Sequence, residues 1–309
     1  MRRADRQVGV SDSGRPLVSV VTPCLNAARF IEATVESVLA QDYPRIEHIV
    51  MDGGSTDGTL ALLEPYKDRI AVYSERDSGA PDAINKGIRR SRGAIVTFLN
   101  ADDYYLPGAV AAAVRAFEGH PDAAAVYADG IWVGESGEKI GDYPVRSFDR
   151  ELVRAECFIC QPASFLRRGP FEEIGLLDAA WRRTFDYDLW IRLSRRYSMR
   201  KAEGVWAASR MHRDSISLGS RRQVFEETIR LLRHHFGYAP FRLIHSYCSY
   251  LTDGRDQFFE PLQPSFWKYA KALPYGLYHN RRHPIRYAAE WASVMSWSGF
   301  LRRLRGAGT

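Results

Sequence analysis

AIVTFLNADD, at residues 94–103, is an apolar run that ends abruptly in two adjacent carboxylates, Asp102 and Asp103. A short run of this kind, preceded by Gly93, predicts a buried strand of a parallel sheet. Open α/β sheets bind ligands outside the carboxyl ends of their strands, which is where the two acids would lie. Adjacent carboxylates repel each other, so they indicate a divalent cation beside them. The alternative is an acidic pair that caps a helix beginning near Pro107.

The sequence before this run alternates between short apolar strands and longer helical segments. Strands are predicted at 17–22, 47–51, 70–74 and 95–99, and helices at about 29–41 and 82–91. This alternation is typical of right-handed βαβ units, so the predicted fold class is α/β with a mostly parallel sheet. The carboxyl rim of the sheet would then carry four polar residues, Thr22, Asp52, Glu75 and Asp102.

The loop DGGSTDGT, at residues 52–59, has the composition of a phosphate-binding turn. It lacks the Lys that follows the last Gly of a P-loop, and no Gly-x-Gly-x-x-Gly follows the first strand. P-loop enzymes and dinucleotide-binding folds are therefore disfavoured. A tight turn in which Ser55 or Thr56 caps the next helix is compatible with a ligand-binding role for the same loop.

Three separate motifs are PLVSVVTPCLN at 16–26, VMDGGSTDGT at 50–59 and DAINKGIRRSRGAIVTFLNADD at 82–103. In this order and spacing they resemble the nucleotide-sugar-binding half of a family 2 glycosyltransferase. The resemblance covers residues 16–120 strongly and continues more loosely to about 217. It implies an inverting enzyme with a GT-A fold, in which helices flank a mostly parallel nucleotide-binding sheet and a helical region follows at the C-terminus.

The resemblance also implies the ligands of the site. The acidic pair would be a DxD-like motif, in which Asp103 and Asp102, with His212 nearby, hold Mg²⁺ or Mn²⁺ against the donor diphosphate. Many relatives have two acids where this chain has Asp52-Gly53, and the second often contacts the base, so Gly53 departs from the pattern. A UDP-sugar is the favoured donor. Its implied binding residues are Thr22, Pro23, Asn26, Asp52, Gly54, Ser55, Asp82, Asn85, Lys86, Asn100, Asp102 and Arg210.

The segment RTFDYDLWIRLSRR, at 183–196, contains the catalytic candidate. Its apolar residues predict a partly buried helix with Asp186 and Asp188 in the first turn, where the helix dipole favours negative charge. That structural role is the preferred interpretation of Asp188. By resemblance, Asp186 matches the last acid of the family's Glu-Asp signature and is implied to be the general base. The preceding Glu of the family is replaced here by Phe185.

The segment SRMHRDSIS, at 209–217, resembles the strand and loop that follow the catalytic helix in the family. A lone histidine is more often structural, so the role of His212 near the metal rests on the resemblance. Arg210 and Arg213 are candidates for holding phosphate oxygens, and solvated surface arginines are the alternative.

Length and composition indicate one α/β domain of about 220 residues with a further region. The predicted divisions are a disordered tail at 1–15, a nucleotide-sugar-binding half at 16–120, an acceptor-binding and catalytic half at 121–220 and a basic aromatic helical region at 221–309. The 45% hydrophobic and 26% charged residues are ordinary for a soluble globular protein. Four cysteines, two of them in one CxxC at 157–160, indicate neither a disulfide framework nor zinc, so a reducing cytoplasm is expected. The first fifteen residues lack the apolar core of a signal peptide.

Charge is concentrated at the C-terminus. Residues 261–309 contain eight Lys or Arg and one acid, Glu290, interleaved with nine aromatic residues. No nucleic-acid-binding module is recognisable, and the apolar run 291–301 is too short to span a bilayer. The segment suits peripheral contact with the inner face of an anionic membrane or docking on a partner. An ordinary helical subdomain with a solvated basic face is the alternative.

The interpretation that accounts for all three motifs is an inverting, metal-dependent glycosyltransferase. It would move a sugar from a nucleoside-diphosphate sugar to a saccharide or lipid-linked acceptor hydroxyl in cell-surface polysaccharide or glycolipid assembly. A sugar nucleotidyltransferase is an alternative, although TPCLNAARF, at 22–30, is not the Gly-rich loop with a basic residue that such enzymes carry. A nucleotide-sugar-binding protein without activity is another, although Asp102, Asp103 and Asp186 are all retained.

Overall fold

The computed structural model describes residues 14–255 and 265–295, and the structural statements below concern these residues. The predicted disordered tail, apart from Gly14 and Arg15, lies outside them. So do residues 256–264 and 296–309 of the predicted C-terminal region. The strands are β1 (Val18–Cys24), β2 (Ile46–Asp52), β3 (Ala71–Ser74), β4 (Ile95–Phe98), β5 (Tyr104–Tyr105), β6 (Ala123–Val133), β7 (Lys139–Asp142), β8 (Ser164–Arg167) and β9 (Ser198–Arg210).

Twelve α-helices accompany these strands in the described ranges. They are α1 (Ile31–Leu39), α2 (Thr59–Leu63), α3 (Ala80–Arg90), α4 (Ala109–Gly119), α5 (Arg150–Val153), α6 (Arg168–Glu173), α7 (Phe185–Arg196), α8 (Ile216–Gly219), α9 (Arg221–Phe236), α10 (Phe241–Asp253), α11 (Phe266–His279) and α12 (Pro284–Met295). No helix in these ranges is both long and apolar enough to cross a membrane.

The chain divides into two compact units. The first consists of Met1–Ser147, Ile159–Leu177 and Arg196–Arg210, and the second of Phe148–Phe158, Asp178–Arg195 and Met211–Thr309. Strand β6 continues the sheet of the first unit beyond residue 120, where the sequence placed a division. The boundaries at 120 and 220 stay a prediction.

The first unit is built on one sheet with strand order β3-β2-β1-β4-β8-β6-β9-β5, and β7 pairs with β6. The four strands β3, β2, β1 and β4 are parallel, as the alternating pattern predicts. Strand β8 is antiparallel to both β4 and β6, and β9 runs parallel to β6. The predicted α/β class and the parallel arrangement of these four strands are confirmed, and the other half of the sheet is mixed.

Helices cover the sheet because each buries one apolar side. Helix α4 buries Ala109, Val110, Ala113, Val114 and Phe117 against the core of the sheet, with the spacing of one helix face. A fully buried Val or Phe side chain contributes about 1.5–3 kcal/mol. These residues therefore fix α4 firmly on the sheet.

Helix α3 approaches the sheet at Gly87. A Cβ built there would overlap Cγ1 of Val21 on β1 and lie 3.0 Å from Cγ of Met51 on β2. Only glycine permits so close an approach of the two backbones. The Gly of the DAINKGI motif thus sets the distance between α3 and the sheet.

The second unit has a helical core of its own. Phe225, Phe241, Tyr247 and Tyr287 are buried together on α9, α10 and α12. The hydroxyl of Tyr287 donates to the carbonyl of Ala272 on α11, at 2.8 Å, so that helix α12 is tied to α11. The predicted C-terminal helical region is confirmed for the described residues.

Candidate active site

The turn that carries Asp102 and Asp103 lies immediately after β4 in the first unit. The hydroxyl of Thr34, on α1, donates to the carbonyls of Ala101 and Asp103 at 2.9 and 2.7 Å. The N–H of Leu99 donates to the carbonyl of Val21 on β1 at 2.9 Å. The acidic pair is therefore held from both α1 and β1.

Asp103 is a buried acid, with only 4% of its surface exposed. Its Oδ1 accepts the N–H of Arg210 at 2.9 Å, and its Oδ2 accepts Nδ2 of Asn100 at 3.2 Å. Burial and the neighbouring Asp102 carboxylate raise the pKa of Asp103 to about 8, although these hydrogen bonds favour the charged form. A cation beside Asp103 would compensate for both effects.

Arg210 holds this turn from the end of β9. Its Nε donates to the carbonyl of Asp102 at 3.1 Å, and its Nη1 donates to the carbonyls of Gly134 and Glu135 at 3.3 and 2.6 Å. The guanidinium carbon lies 4.8 Å from the ring centre of Phe30 and 5.4 Å from that of Tyr104. Arg210 therefore fixes the acidic turn through carbonyls and aromatic rings, a role that the sequence did not predict.

Gln161 is a site residue that the sequence analysis missed. Its Nε2 donates to the carbonyl of Phe98 at 2.6 Å, and its Oε1 accepts Nδ2 of Asn100 at 3.2 Å. Asn100 is thus oriented between Gln161 and Asp103. The signal was present, because Gln161 is a polar residue inside the apolar run FICQPASFL at 158–166.

Asp52 ends β2 and organises the loop that follows. It is 1% exposed and accepts the N–H groups of Gly54 and Ser55, both at 3.1 Å, and the hydroxyl of Ser74 at 2.6 Å. Burial acts to raise the pKa of Asp52, but the hydrogen bonds from Ser55, Ser74 and Gly54 outweigh it and hold that pKa below its ordinary value. Asp52 is therefore an anionic anchor at the rim.

Asn26 joins the loop after β1 to the same loop. Its Oδ1 accepts the N–H of Thr56 at 2.9 Å, and its own N–H donates to the hydroxyl of Ser55 at 2.8 Å. Asn26 has a φ of 51°, in the left-handed region that asparagine tolerates better than most residues. The predicted donor residues Asn26, Gly54 and Ser55 are brought together with Asp52.

Gly53 lies against the carboxylate of Asp77. A Cβ at position 53 would lie 2.6 Å from Oδ2 of Asp77 and 3.5 Å from Cδ1 of Leu25. Oδ1 of Asp77 accepts the N–H of Gly79 at 2.8 Å, which holds the carboxylate in place. An acid therefore stands beside position 53 although residue 53 itself has no side chain.

Asp82 and Lys86 form a charged group on α3. Oδ2 of Asp82 lies 3.3 Å from Nζ of Lys86 and accepts the N–H of Ser78 at 3.0 Å. The hydrogen bond from the N–H of Ser78 is the main cause that holds the pKa of Asp82 below its ordinary value, and the nearby Lys86 ammonium adds to the effect. Lys86 also approaches Glu75, with 3.6 Å between Nζ and Oε1.

Three of the predicted donor-binding residues are buried rather than open to a ligand. Thr22 has no exposed surface, and its hydroxyl lies 2.9 Å from Nε2 of His48. The side-chain amide of Asn85 donates to the carbonyl of Leu177 at 2.8 Å and accepts its N–H at 3.1 Å. Pro23 is buried within β1. Asn85 keeps 7% of its surface exposed. The donor-binding role of these three residues stays a prediction.

Asp186 belongs to the second unit and lies in the first turn of α7, half-buried. Burial raises the pKa of Asp186 to about 6, and the carboxylate of Glu227 on α9 adds to the rise. Glu227 was not singled out from the sequence. A carboxyl group with this pKa is mostly ionised at neutral pH and becomes protonated when the pH falls to about 6.

Asp188 has two polar partners inside the second unit. Its Oδ2 accepts Nε of Arg192 at 2.6 Å, and its Oδ1 lies 2.7 Å from Nε2 of His235. The Asp188 side chain is 1% exposed. The structural role predicted for Asp188 agrees with this geometry.

His212 also belongs to the second unit, just beyond β9, and it is buried. Within residues 14–255 and 265–295, no group of three or more His, Cys, Asp or Glu side chains is arranged to hold a metal ion. Asp102 and Asp103 place two carboxylates directly after β4, and their role as metal ligands stays a prediction.

Comparison with known proteins gives a family. Residues 19–175 match the model of glycosyl transferase family 2. A PGL/p-HBAD biosynthesis glycosyltransferase of Mycobacterium tuberculosis is 32% identical over 182 residues, which cover 57% of this chain and 69% of the relative. The putative teichuronic acid biosynthesis glycosyltransferase TuaG of Bacillus subtilis is 50% identical over 93 residues, covering 29% of this chain and 37% of the relative.

Solved structures share the fold. TarS residues 1–349 of S. aureus, in complex with UDP-GlcNAc, align with a TM-score of 0.62 at 16% identity, covering 89% of this chain and 83% of that one. The mannosyltransferase PcManGT of Pyrobaculum calidifontis, in complex with GDP-Man and Mn²⁺, aligns with a TM-score of 0.55 at 19% identity, covering 95% and 80%. At these identities the likeness establishes the architecture alone.

Proposed function

The chain belongs to glycosyl transferase family 2, and from that premise we propose that it transfers a sugar, with inversion, from a nucleoside-diphosphate sugar to an acceptor hydroxyl. The observation that carries the proposal is the buried acidic turn after β4, where Asp102 and Asp103 are held by Thr34 and Arg210. A turn fixed from several elements is suited to a task that requires charge in a defined position.

We propose that the donor binds along the carboxyl rim of the first unit. Asp52, with its lowered pKa, is suited to accept hydroxyl or N–H groups of the nucleoside. Asn100 is oriented by Gln161 and Asp103 toward the same rim. The relatives' structures with UDP, UDP-GlcNAc and GDP-Man support a nucleotide sugar as donor class. A UDP-sugar is the favoured member.

A divalent cation, Mg²⁺ or Mn²⁺, is proposed at Asp102 and Asp103, with His212 as a further candidate ligand. Two carboxylates suffice for an ion that takes its other ligands from water and substrate phosphates, as Mg²⁺ commonly does. The raised pKa of Asp103 fits, because a buried carboxylate beside another acid needs positive charge to ionise. When bound, the cation would neutralise charge on the departing diphosphate.

Asp186 is proposed to accept the proton of the attacking hydroxyl. The acceptor oxygen forms its bond to the anomeric carbon as the bond to the diphosphate oxygen breaks, and the hydroxyl proton passes to the Asp186 carboxylate. A base is most effective when its pKa lies near the working pH, and that of Asp186 is raised to about 6. Asp188 is a poor candidate because Arg192 and His235 occupy its carboxylate.

The acceptor is proposed to be a saccharide or a lipid-linked saccharide in cell-surface polysaccharide or glycolipid assembly. The support is the naming of relatives for PGL/p-HBAD and teichuronic acid biosynthesis. Such an acceptor would be met at the cytoplasmic side of a membrane.

A membrane-facing surface is proposed on α11. Trp267, Lys271, Pro274 and Tyr278 are all exposed and recur at the spacing of a single helix stripe. Trp267 is 69% and Tyr278 59% exposed, and indole and phenol rings favour the membrane–water interface. The stripe forms one side of an apolar groove of about 430 Å³, which is lined by Cys248, Leu251, Lys271, Pro274, Tyr275 and Tyr278.

The basic residues near this stripe differ in whether they are exposed and so able to contact a membrane surface. Lys271, Arg281 and Arg282 are exposed, and each cation near an anionic surface contributes about 1 kcal/mol. Lys268 does not take part, because it is buried and its Nζ lies 2.5 Å from Oδ2 of Asp253. Among the described basic residues of this segment, Lys268 is thus not available to a membrane.

A donor panel tests the proposed reaction. The full chain is incubated with UDP-, GDP- and dTDP-sugars, with Mn²⁺, Mg²⁺ or EDTA, and released nucleoside diphosphate is measured. We expect release from one base class that EDTA suppresses, and an anomeric configuration opposite to that of the donor in any transferred product. Release of pyrophosphate from nucleoside triphosphate and sugar phosphate would instead identify a nucleotidyltransferase.

A further inference from the structure

Glu227, on α9, reaches the beginning of α7 with its carboxylate. Its Oε1 accepts the N–H of Arg183 at 2.7 Å, the N–H of Thr184 at 3.0 Å and the hydroxyl of Thr184 at 3.1 Å. Glu227 is itself only 7% exposed. These bonds fix the segment that immediately precedes Asp186.

This arrangement differs from an ordinary helix start. The first N–H groups of a helix are usually satisfied by the side chain of the residue at the N-cap. Thr184 precedes α7, and its carbonyl accepts the N–H of Asp188 at 2.9 Å, as expected of the cap position. Its hydroxyl nevertheless donates to Glu227, so the carboxylate of a distant helix organises the turn.

The charged groups around Asp186 lie on both of these elements. Glu227 is the like charge that acts on Asp186, in addition to burial. Arg230 moderates Glu227, with 3.5 Å between Nη2 and Oε2, and Nη1 of Arg183 lies 3.9 Å from the same oxygen. Asp188, two residues along α7, is bonded to its own partners, Arg192 and His235.

We infer that Glu227 is a positioning residue for Asp186: its carboxylate, contributed by α9, fixes the two residues that lead into α7 and sets the charge beside the proposed base. The inference rests on the role proposed for Asp186. No acid precedes Asp186 in the sequence, since position 185 is Phe, so the second carboxylate comes from another helix.

The expected consequence has a definite sign. A negative charge on Glu227 favours the protonated form of Asp186, so neutralising Glu227 lowers the pKa of Asp186. The acid limb of the pH–rate profile then moves to lower pH. A merely structural contact would change stability without moving that limb.

Glu227→Gln is the informative variant, because its amide oxygen can accept the same three hydrogen bonds while the charge is removed. Glu226→Gln is the matched control: it removes a carboxylate one residue earlier on α9, where Glu226 accepts the hydroxyl of Tyr247 at 2.6 Å. The full chain is labelled with ¹³C at aspartate Cγ, and the Asp186 signal is assigned by its loss in Asp186→Asn. Titration from about pH 4 to pH 8 then gives the midpoint directly.

We expect Glu227→Gln to lower the Asp186 midpoint by roughly half a unit to one unit, and Glu226→Gln to leave it within about 0.2 units. Arg230→Gln, at an exposed site, provides the opposite test: loss of the cation should raise the midpoint by roughly 0.3 units. Arg230→Gln also decides the matter if Glu227→Gln does not fold. Equal midpoints in wild type, Glu227→Gln and Arg230→Gln would overturn the inference.

The rate of nucleoside-diphosphate release from the panel donor, measured against pH, separates this inference from the proposed function. If Asp186→Asn keeps full transfer, Asp186 is not the base, whatever the titration gives. If Asp186→Asn abolishes transfer and the acid limb does not move in Glu227→Gln, the base assignment stands and the positioning role of Glu227 is wrong.

Discussion

Asp103 lies in surroundings that disfavour an ionised carboxylate. Replacing it by the neutral asparagine therefore tests whether its charge is needed to bind a cation. Asp103→Asn matches the protonated acid in size and keeps an acceptor for the N–H of Arg210. We expect the melting temperature to stay within about 2 °C and cation-dependent donor binding to be lost. Calorimetric titration of the panel donor with and without Mn²⁺ measures the effect.

The control for Asp103 is Asp142→Asn, an acid of the first unit whose side chain is 77% exposed. It should bind donor and cation as the wild type does. Full cation-dependent binding by Asp103→Asn would contradict the metal assignment.

Asp186 and Asp188 give opposite predictions although they are two residues apart. Asp186→Asn should retain donor affinity and lose transfer by roughly 10²–10⁴-fold, because only the proton acceptor is removed. Asp188→Asn leaves Arg192 and His235 without their shared carboxylate and should lower the free energy of unfolding by about 3 kcal/mol.

Rates of transfer and urea unfolding curves for the two variants separate these expectations. If Asp188→Asn lost transfer but kept normal stability, and Asp186→Asn kept transfer, the base would be Asp188 and not Asp186.

At the scale of elements, the close contact of α3 with the sheet depends on Gly87, which has no Cβ. Gly87→Ala introduces a Cβ that overlaps Val21, so we expect a loss of about 1–3 kcal/mol in the free energy of unfolding. Gly119→Ala, at the end of α4, has nothing within 4 Å of the new Cβ and should be neutral or stabilising by up to about 1 kcal/mol. Chemical denaturation of both variants tests the pair, and equal stabilities would contradict the close approach.

The elements of the parallel sheet were predictable because their apolar periodicity is local. The predicted strands at 17–22 and 95–99 appear as Val18–Cys24 and Ile95–Phe98. The insertion of β8 between β4 and β6 was not predictable, since antiparallel pairing over such separations leaves no local pattern. The same distinction applies to the site. Asp52 and Asp103 follow strands, whereas Glu227 looks like any polar residue of an amphipathic helix until α7 packs beside it.

At the scale of the whole molecule, the exposed stripe of α11 predicts reversible membrane contact. The double variant Trp267→Ser, Lys271→Glu should weaken sedimentation with anionic liposomes at least about tenfold, because interfacial burial and one cation are lost together. Lys139→Glu, a charge change at an exposed site of the first unit, should bind liposomes like the wild type. Raised salt should weaken the binding of the wild type and of Lys139→Glu alike. Unchanged sedimentation of the double variant would assign the stripe to contacts with protein.

Point substitutions are preferable to removal of residues 283–309. That deletion would take away Tyr287, which is fully buried and tied to Ala272, and so would damage the core of the second unit. A loss of liposome binding by such a shortened chain would then report unfolding as readily as a lost surface.

The bonds from α9 to α7 also have a meaning for the order in which the molecule is made. During translation, the metal-binding, donor-binding and catalytic residues proposed here, from Thr22 to His212, leave the ribosome before α9 does. Glu227 and His235 are still missing at that moment, so the turn of Asp186 and the carboxylate of Asp188 have no partners from α9. A chain released at residue 220 lacks the helical core of the second unit as well, so its loss of turnover would not be informative. Binding of UDP by that chain, measured by calorimetry, would test whether the first unit forms before α9 is made. Catalytic competence would then wait until α9 has been translated.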